Sequence, residues 1–103
     1  MTNKRVVVIG GGPAGHDAAT YAARFGADVT LIERDIVGGS AHLRDCVPSK
    51  SMIATGAALS FARRLDGMGL VNVETRVDAN HLRARIQSIE KRLEQAVTQL
   101  LTS

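Results

Sequence analysis

At 103 residues, 45% of them hydrophobic and 22% charged, the chain has the size and balance of one small globular domain, without the polarity of a disordered segment or the apolar run of a membrane span. A formal net charge of +3, with one Tyr, two Phe and no dense Lys/Arg run, argues against a nucleic-acid partner. The single cysteine excludes an internal disulfide, and the apolar run after Lys4-Arg5 is too short for a secretory signal, so the expected location is cytoplasmic.

Arg5 to Ile9 is a β-branched apolar run with charge before it and glycine after it, and reads as a strand buried on both faces. Ala14 to Phe25 is alanine-rich and helical, with Gly26 placed to cap it. Asp28 to Glu33 reads as a second strand. Strand, glycine-rich turn, helix and strand form a βαβ unit over residues 5–33, and a right-handed crossover sets the strands parallel. The fold class is therefore α/β, a Rossmann-like parallel sheet with flanking helices.

Residues 34–47 lack periodicity and read as a loop leaving the second strand. A helix is expected to start at Pro48, because proline suits the first helical position and disfavours helical geometry at Val47. Its apolar set, Met52, Ile53, Ala57, Leu59, Phe61, Ala62 and Leu65, predicts a largely buried helix that Gly67 and Gly69 stop. Leu70 to Val77 alternates imperfectly and reads as extended. From Asn80 to Leu101, the apolar positions Leu82, Ile86, Ile89, Leu93, Val97 and Leu100 recur at helical spacing. This seam is expected to pack against the domain, with a coiled-coil dimer as the alternative. The chain ends two residues beyond its last leucines, so the natural polypeptide is expected to continue.

Gly10-Gly11-Gly12-Pro13-Ala14-Gly15 satisfies G-x-G-x-x-G between the predicted strand and helix. Gly10 permits the tight turn, Gly12 lets backbone approach a pyrophosphate, and Gly15 allows helix and strand to pack closely. The helix N-terminus then offers free N–H groups to phosphate. Glu33 lies about 20 residues further on, where a carboxylate accepts hydrogen bonds from an adenosine ribose and disfavours a 2′-phosphate. The unit alone does not separate NAD from FAD.

The segment from Gly38 to Lys50, Gly-Gly-Ser-Ala-His-Leu-Arg-Asp-Cys-Val-Pro-Ser-Lys, supplies that distinction. It resembles the redox segment of the FAD-dependent pyridine nucleotide-disulfide oxidoreductases, the family of dihydrolipoamide dehydrogenase and glutathione reductase. Those enzymes carry two cysteines with four residues between them, then a Pro-Ser-Lys run. Here Ala41 stands at the first cysteine position and Cys46 at the second, as in members that reduce quinones with NAD(P)H. The resemblance implies an FAD-binding domain, of which residues 1–103 are the N-terminal part: the βαβ unit, a flavin-proximal loop and helix over 34–66, and a C-terminal amphipathic helix over 80–101.

Contact with FAD is implied for Gly10, Gly12, Pro13, Ala14, Gly15, Glu33, Arg34, Gly39, Ser40 and Lys50. NAD(P)H is expected to bind outside this segment. Lys50 is implied to lie beside the flavin ring, where a cation stabilises the charge of the reduced ring. Cys46 is implied to be the flavin-proximal thiol, and its position near an expected helix N-terminus and Arg44 favours thiolate, with Asp45 opposing. Thiol-disulfide exchange needs a partner sulfur, which Ala41 does not supply. Cys46 and Lys50 are the candidate catalytic residues. His16 and His42 read as ordinary loop or helix-start residues, and no metal-site spacing links them with Cys46 and His81.

The implied function is the FAD-binding part of an NAD(P)H-dependent flavoprotein passing electrons to a small acceptor such as a quinone, without a redox disulfide. The complete protein is expected to be a homodimer, and this segment alone inactive. The alternatives are a disulfide reductase using another cysteine, in which Ala41→Cys changes little, and a free-standing nucleotide-binding or redox-sensing module.

Overall fold

The structure, a computed structural model, describes residues 4–71 and 74–103. Strand β1 (Arg5–Ile9), helix α1 (Pro13–Arg24) and strand β2 (Asp28–Ile32) form the expected βαβ unit. The strands pair in parallel from Arg5 opposite Asp28 to Ile9 opposite Ile32. Backbone bonds from Asp28 N–H to the Lys4 carbonyl and from Gly10 N–H to the Ile32 carbonyl continue the ladder at both ends. Helix α1 stops in a Schellman arrangement: Gly26 is left-handed at φ 81°, its N–H bonds the Ala23 carbonyl, and Ala27 N–H bonds that of Ala22.

The period of two divides each strand into unlike faces. Val6, Val8, Val29 and Leu31 turn inward, half-buried, while Ala19 of α1 is buried. The other face is open: Val7 is 61% and Ile9 85% exposed, and Ile32 is exposed as well. The expectation of a first strand buried on both faces is therefore corrected. A continuous apolar run shows what a strand can bury; an α1 cover on one face decides what it does bury.

The segment after β2 departs furthest from the sequence reading. Only its first part is a loop, for a π-helical turn over Ala41–Cys46 runs straight into α2 (Val47–Ala62). Val47, expected outside the helical region, is helical at φ −68° and ψ −49°. Its N–H bonds the His42 carbonyl, five residues back. Pro48 has no N–H, and in a regular α-helix its ring meets the carbonyl four residues earlier. A widened π turn before it accommodates that ring, so the proline marks a wide turn within a helix rather than a start.

Helix α2 ends at Ala62, earlier than its glycines suggested, and a 3₁₀ turn (Asp66–Met68) follows, closed by left-handed Gly69. No α2 side chain is fully buried, and Met52, Ile53 and Phe61 are exposed, which corrects the expectation of a buried helix. The described residues between Leu70 and Val77 belong to no regular element, and the extended segment expected there also covers residues 72–73, outside the described residues. Helix α3 (Ala79–Thr102) is capped by the Asp78 side chain, which accepts the His81 N–H at 2.9 Å. It returns along α2 to touch the π turn and α1. Leu82, Ile86, Ile89 and Val97 are half-buried in this packing, whereas Leu100 is exposed.

Helices α2 and α3 thus form an arm extending from the βαβ unit. The molecule measures 71 × 24 × 19 Å, with a radius of gyration of 20.3 Å. A compact domain of about 100 residues has a radius near 13 Å.

Candidate functional site

The first helical hydrogen bond of α1 runs from His16 N–H to the Gly12 carbonyl at 2.8 Å. The N–H groups of Ala14 and Gly15 come before it, at the end of the helix where backbone donors have no helical partner. Pro13 occupies the first helical position, where its missing N–H costs nothing. Close contact with β1 is possible because position 15 has no side chain. A Cβ built there would stand 1.7 Å from the Gly10 carbonyl oxygen.

Glu33, just past β2, crosses to the glycine turn. Its Oε2 accepts the Gly11 N–H at 2.7 Å, and its Oε1 accepts the Asp35 N–H at 2.8 Å. The Gly11 bond foremost, then that from Asp35, holds the carboxyl below its ordinary value of 4.5. Both oxygens retain lone pairs for a further donor such as a ribose hydroxyl.

The loop after β2 folds back over the fingerprint. Gly38 N–H bonds the Gly11 carbonyl at 2.8 Å. A Cβ on Gly39, left-handed at φ 89°, would come within 2.8 Å of the Gly12 Cα. Bare backbone therefore faces bare backbone between the α1 N-terminus and the start of the π turn. Leu43, 1% exposed, anchors that turn beneath Gly38.

The structure thus gathers Gly10, Gly12, Pro13, Ala14, Gly15, Glu33 and Gly39 around one turn, with Ser40 at the entrance to the π turn. Arg34 follows Glu33 directly and is exposed. Cys46 closes the π turn and Lys50 lies four residues on; both are exposed, and this spacing sets them on one helical face. One expectation about Cys46 is corrected. It sits at the junction of the π turn and α2, inside a continuous helical run rather than at an N-terminus. The Arg44 guanidinium is engaged by Asp35 in a two-bond pair, with Nη1 to Oδ2 at 2.5 Å and Nη2 to Oδ1 at 2.9 Å.

Gly11, Asp35 and Leu43 were not singled out in the sequence. Gly11 was visible only as the variable position of the fingerprint. The Asp35–Arg44 pair spans nine positions, outside any helical or strand period, and had no local signal. An apolar groove of about 620 Å³ lies between α1, β2 and the end of α3, lined by Ala19, Val29, Leu31, Val37 and Leu101 among others. It contains none of the residues just described, and the glycine turn carries the polar chemistry.

The family model described as pyridine nucleotide-disulphide oxidoreductase matches residues 4–103. The chain belongs to that family. Members are FAD-dependent flavoproteins with NAD(P)H as reductant. Dihydrolipoyl dehydrogenase 2 of Haloarcula marismortui is 42% identical over 69 residues, covering 67% of this chain and 15% of the relative. An NAD(P)H dehydrogenase (quinone) of Mycobacterium tuberculosis is 46% identical over 68 residues, covering 63% of this chain and 14% of the relative. A dihydrolipoyl dehydrogenase of Bacillus subtilis is 34% identical over 98 residues, covering 93% of this chain and 21% of the relative. The chain therefore spans about a seventh to a fifth of the length of these relatives.

Proposed function

We propose that residues 1–103 are the N-terminal part of the FAD-binding domain of an NAD(P)H-dependent flavoprotein that passes electrons to a small acceptor, a quinone, without a redox disulfide. The observation that carries this reading is the π turn, with Ala41 at its start and Cys46 at its end. Closure from one residue to the fifth after it stacks these two positions by about one turn. A pair of cysteines there could exchange with a disulfide substrate; a methyl group opposite one thiol cannot. The quinone-reducing relative named above supports the choice of acceptor.

The donor set fits FAD. The N–H groups of Ala14 and Gly15, with Pro13 fixing the helix entry, suit the pyrophosphate, Gly10 leaves open space beside its backbone, and the close approach of Gly39 to Gly12 brings the loop after β2 alongside. Glu33 accepts from the ribose, while Arg34 and Ser40 flank the path towards the ring. When bound, FAD supplies a ring that takes up hydride from NAD(P)H and gives electrons on to the acceptor. Lys50 would hold a cation near the ring, where it favours the negative charge of the reduced form, and Cys46, four residues before it, would lie beside the ring as a thiol without a partner sulfur. NAD(P)H binds on a segment beyond these residues, and the working protein is a cytoplasmic homodimer.

The test compares acceptors with the complete protein. Rapid NAD(P)H-dependent reduction of a quinone, with lipoamide and glutathione disulfide reduced at least about a hundredfold more slowly, is the expected result. Equal rates with a disulfide would overturn the reading and favour a reductase using another cysteine, as the names of the dihydrolipoyl dehydrogenase relatives would suggest.

A further inference from the structure

Beside the backbone contacts of Gly38 and Gly39 with the glycine turn, Asp35 links the Glu33 carboxylate to the π turn. Its backbone N–H fixes one oxygen of Glu33, and its carboxylate receives both terminal nitrogens of Arg44. Arg44 sits in the π turn between buried Leu43 and Cys46 two residues on. A short path therefore runs from the Gly11 N–H through Glu33 and Asp35 to Arg44 and the turn that carries Cys46. We infer that the Asp35–Arg44 pair is a positioning clamp that couples nucleotide binding at Glu33 to the placement of Cys46.

The geometry explains why this contact, and not a generic surface charge, does the coupling. Both side chains are about half exposed, at 53% for Arg44 and 45% for Asp35. A single-point ion pair at such exposure contributes little, but two parallel bonds fix distance and orientation together. A guanidinium matches both carboxylate oxygens, whereas a lysine ammonium is one point of charge. Rotation of the π turn moves Arg44 and Cys46 as one piece and pulls on the Asp35 carboxylate. The residue 33–35 turn then shifts, and with it the N–H aimed at Glu33. Coupling of this kind is reciprocal: if the clamp lets bound FAD set the environment of Cys46, the placement of Cys46 alters FAD affinity by the same factor.

This inference rests on the FAD reading above, and the experiment separates the two. In the complete protein, the FAD dissociation constant and the rate at which a thiol reagent labels Cys46, with and without FAD, are measured for wild type, Asp35→Asn, Arg44→Gln and the double variant. A further double variant, Asp35→Arg with Arg44→Asp, reverses the pair. Each single variant is expected to weaken FAD binding about two- to fivefold, the range of an exposed but well-aligned ion pair. Each is also expected to reduce the protection that FAD gives Cys46. The double Asn/Gln variant is expected to be no worse than either single, and the reversed pair to recover at least half of both effects. Unchanged affinity in both singles, additive losses in the double, or weakened binding with Cys46 protection intact would each overturn the clamp while leaving the FAD reading in place. A wild-type protein that takes up no FAD would overturn both.

Discussion

Glu33 spends both carboxylate oxygens on backbone donors, and its charge is part of the fold as well as of the site. Those bonds favour the ionised form, so the native carboxyl titrates below its ordinary value of 4.5. A depressed native value contributes stability that is present above the unfolded value and lost as pH falls through the lowered one. Glu33→Gln, which turns an amide group towards a backbone N–H, is expected to lower the melting temperature at neutral pH, and the gap from wild type is expected to narrow below about pH 4.5. Thermal melts from pH 7 to pH 3 check this, and a gap of constant size would refute it. At the same scale, Ala41→Cys addresses the geometry of the π turn. The turn sets positions 41 and 46 about one helical turn apart, so the variant is expected to form a disulfide and show no free thiol at these positions after mild oxidation. Two thiols still titratable with a colorimetric reagent would show that the turn holds them apart.

The elements were legible in proportion to how local their causes are. The βαβ unit was read to within a residue or so, because alternation, helical spacing and the glycine fingerprint all act over a few positions. Glu33 and the glycines of the site came from the same pattern. The π turn was not legible, since it depends on Pro48 acting on a turn already begun, and proline alone reads equally well as a start. The burial of α2 is not legible, because an apolar sequence measures capacity for contact and says nothing about whether a neighbour is present. The Asp35–Arg44 pair leaves no sequence signal, since two charges nine positions apart meet only once the loop has closed. One element-level consequence concerns the contact of α1 with β1. A Cβ at position 15 would lie 1.7 Å from the Gly10 oxygen, and backbone does not yield as a side-chain tip does. Gly15→Ala is expected to cost roughly 1–3 kcal/mol or more in stability and to weaken FAD binding at least tenfold. Wild-type stability measured by denaturant unfolding would contradict the close approach.

At the scale of the whole molecule, two sets of exposed apolar residues stand out among those described. Val7, Ile9 and Ile32 line the uncovered face of the sheet, and Met52, Ile53 and Phe61 lie along the arm. Surface apolar residues are ordinary when scattered, but a bare sheet face beside an extended helical arm resembles an interface more than a solvated surface. Two strands with a helix on one face are also near the lower limit for independent stability. Burial of these sets requires other protein surface, supplied either by further segments of a longer polypeptide or by other copies. A polypeptide of residues 1–103 produced by itself is therefore expected to self-associate, to enhance the fluorescence of a hydrophobic dye, and to show no NAD(P)H-dependent dye reduction. Light scattering after size-exclusion chromatography, dye titration and a turnover assay on one sample provide the check. A monodisperse monomer with low dye response that retains FAD would instead establish the segment as a binding module in its own right, and the exposed valines and isoleucines would then be its surface rather than a face awaiting cover.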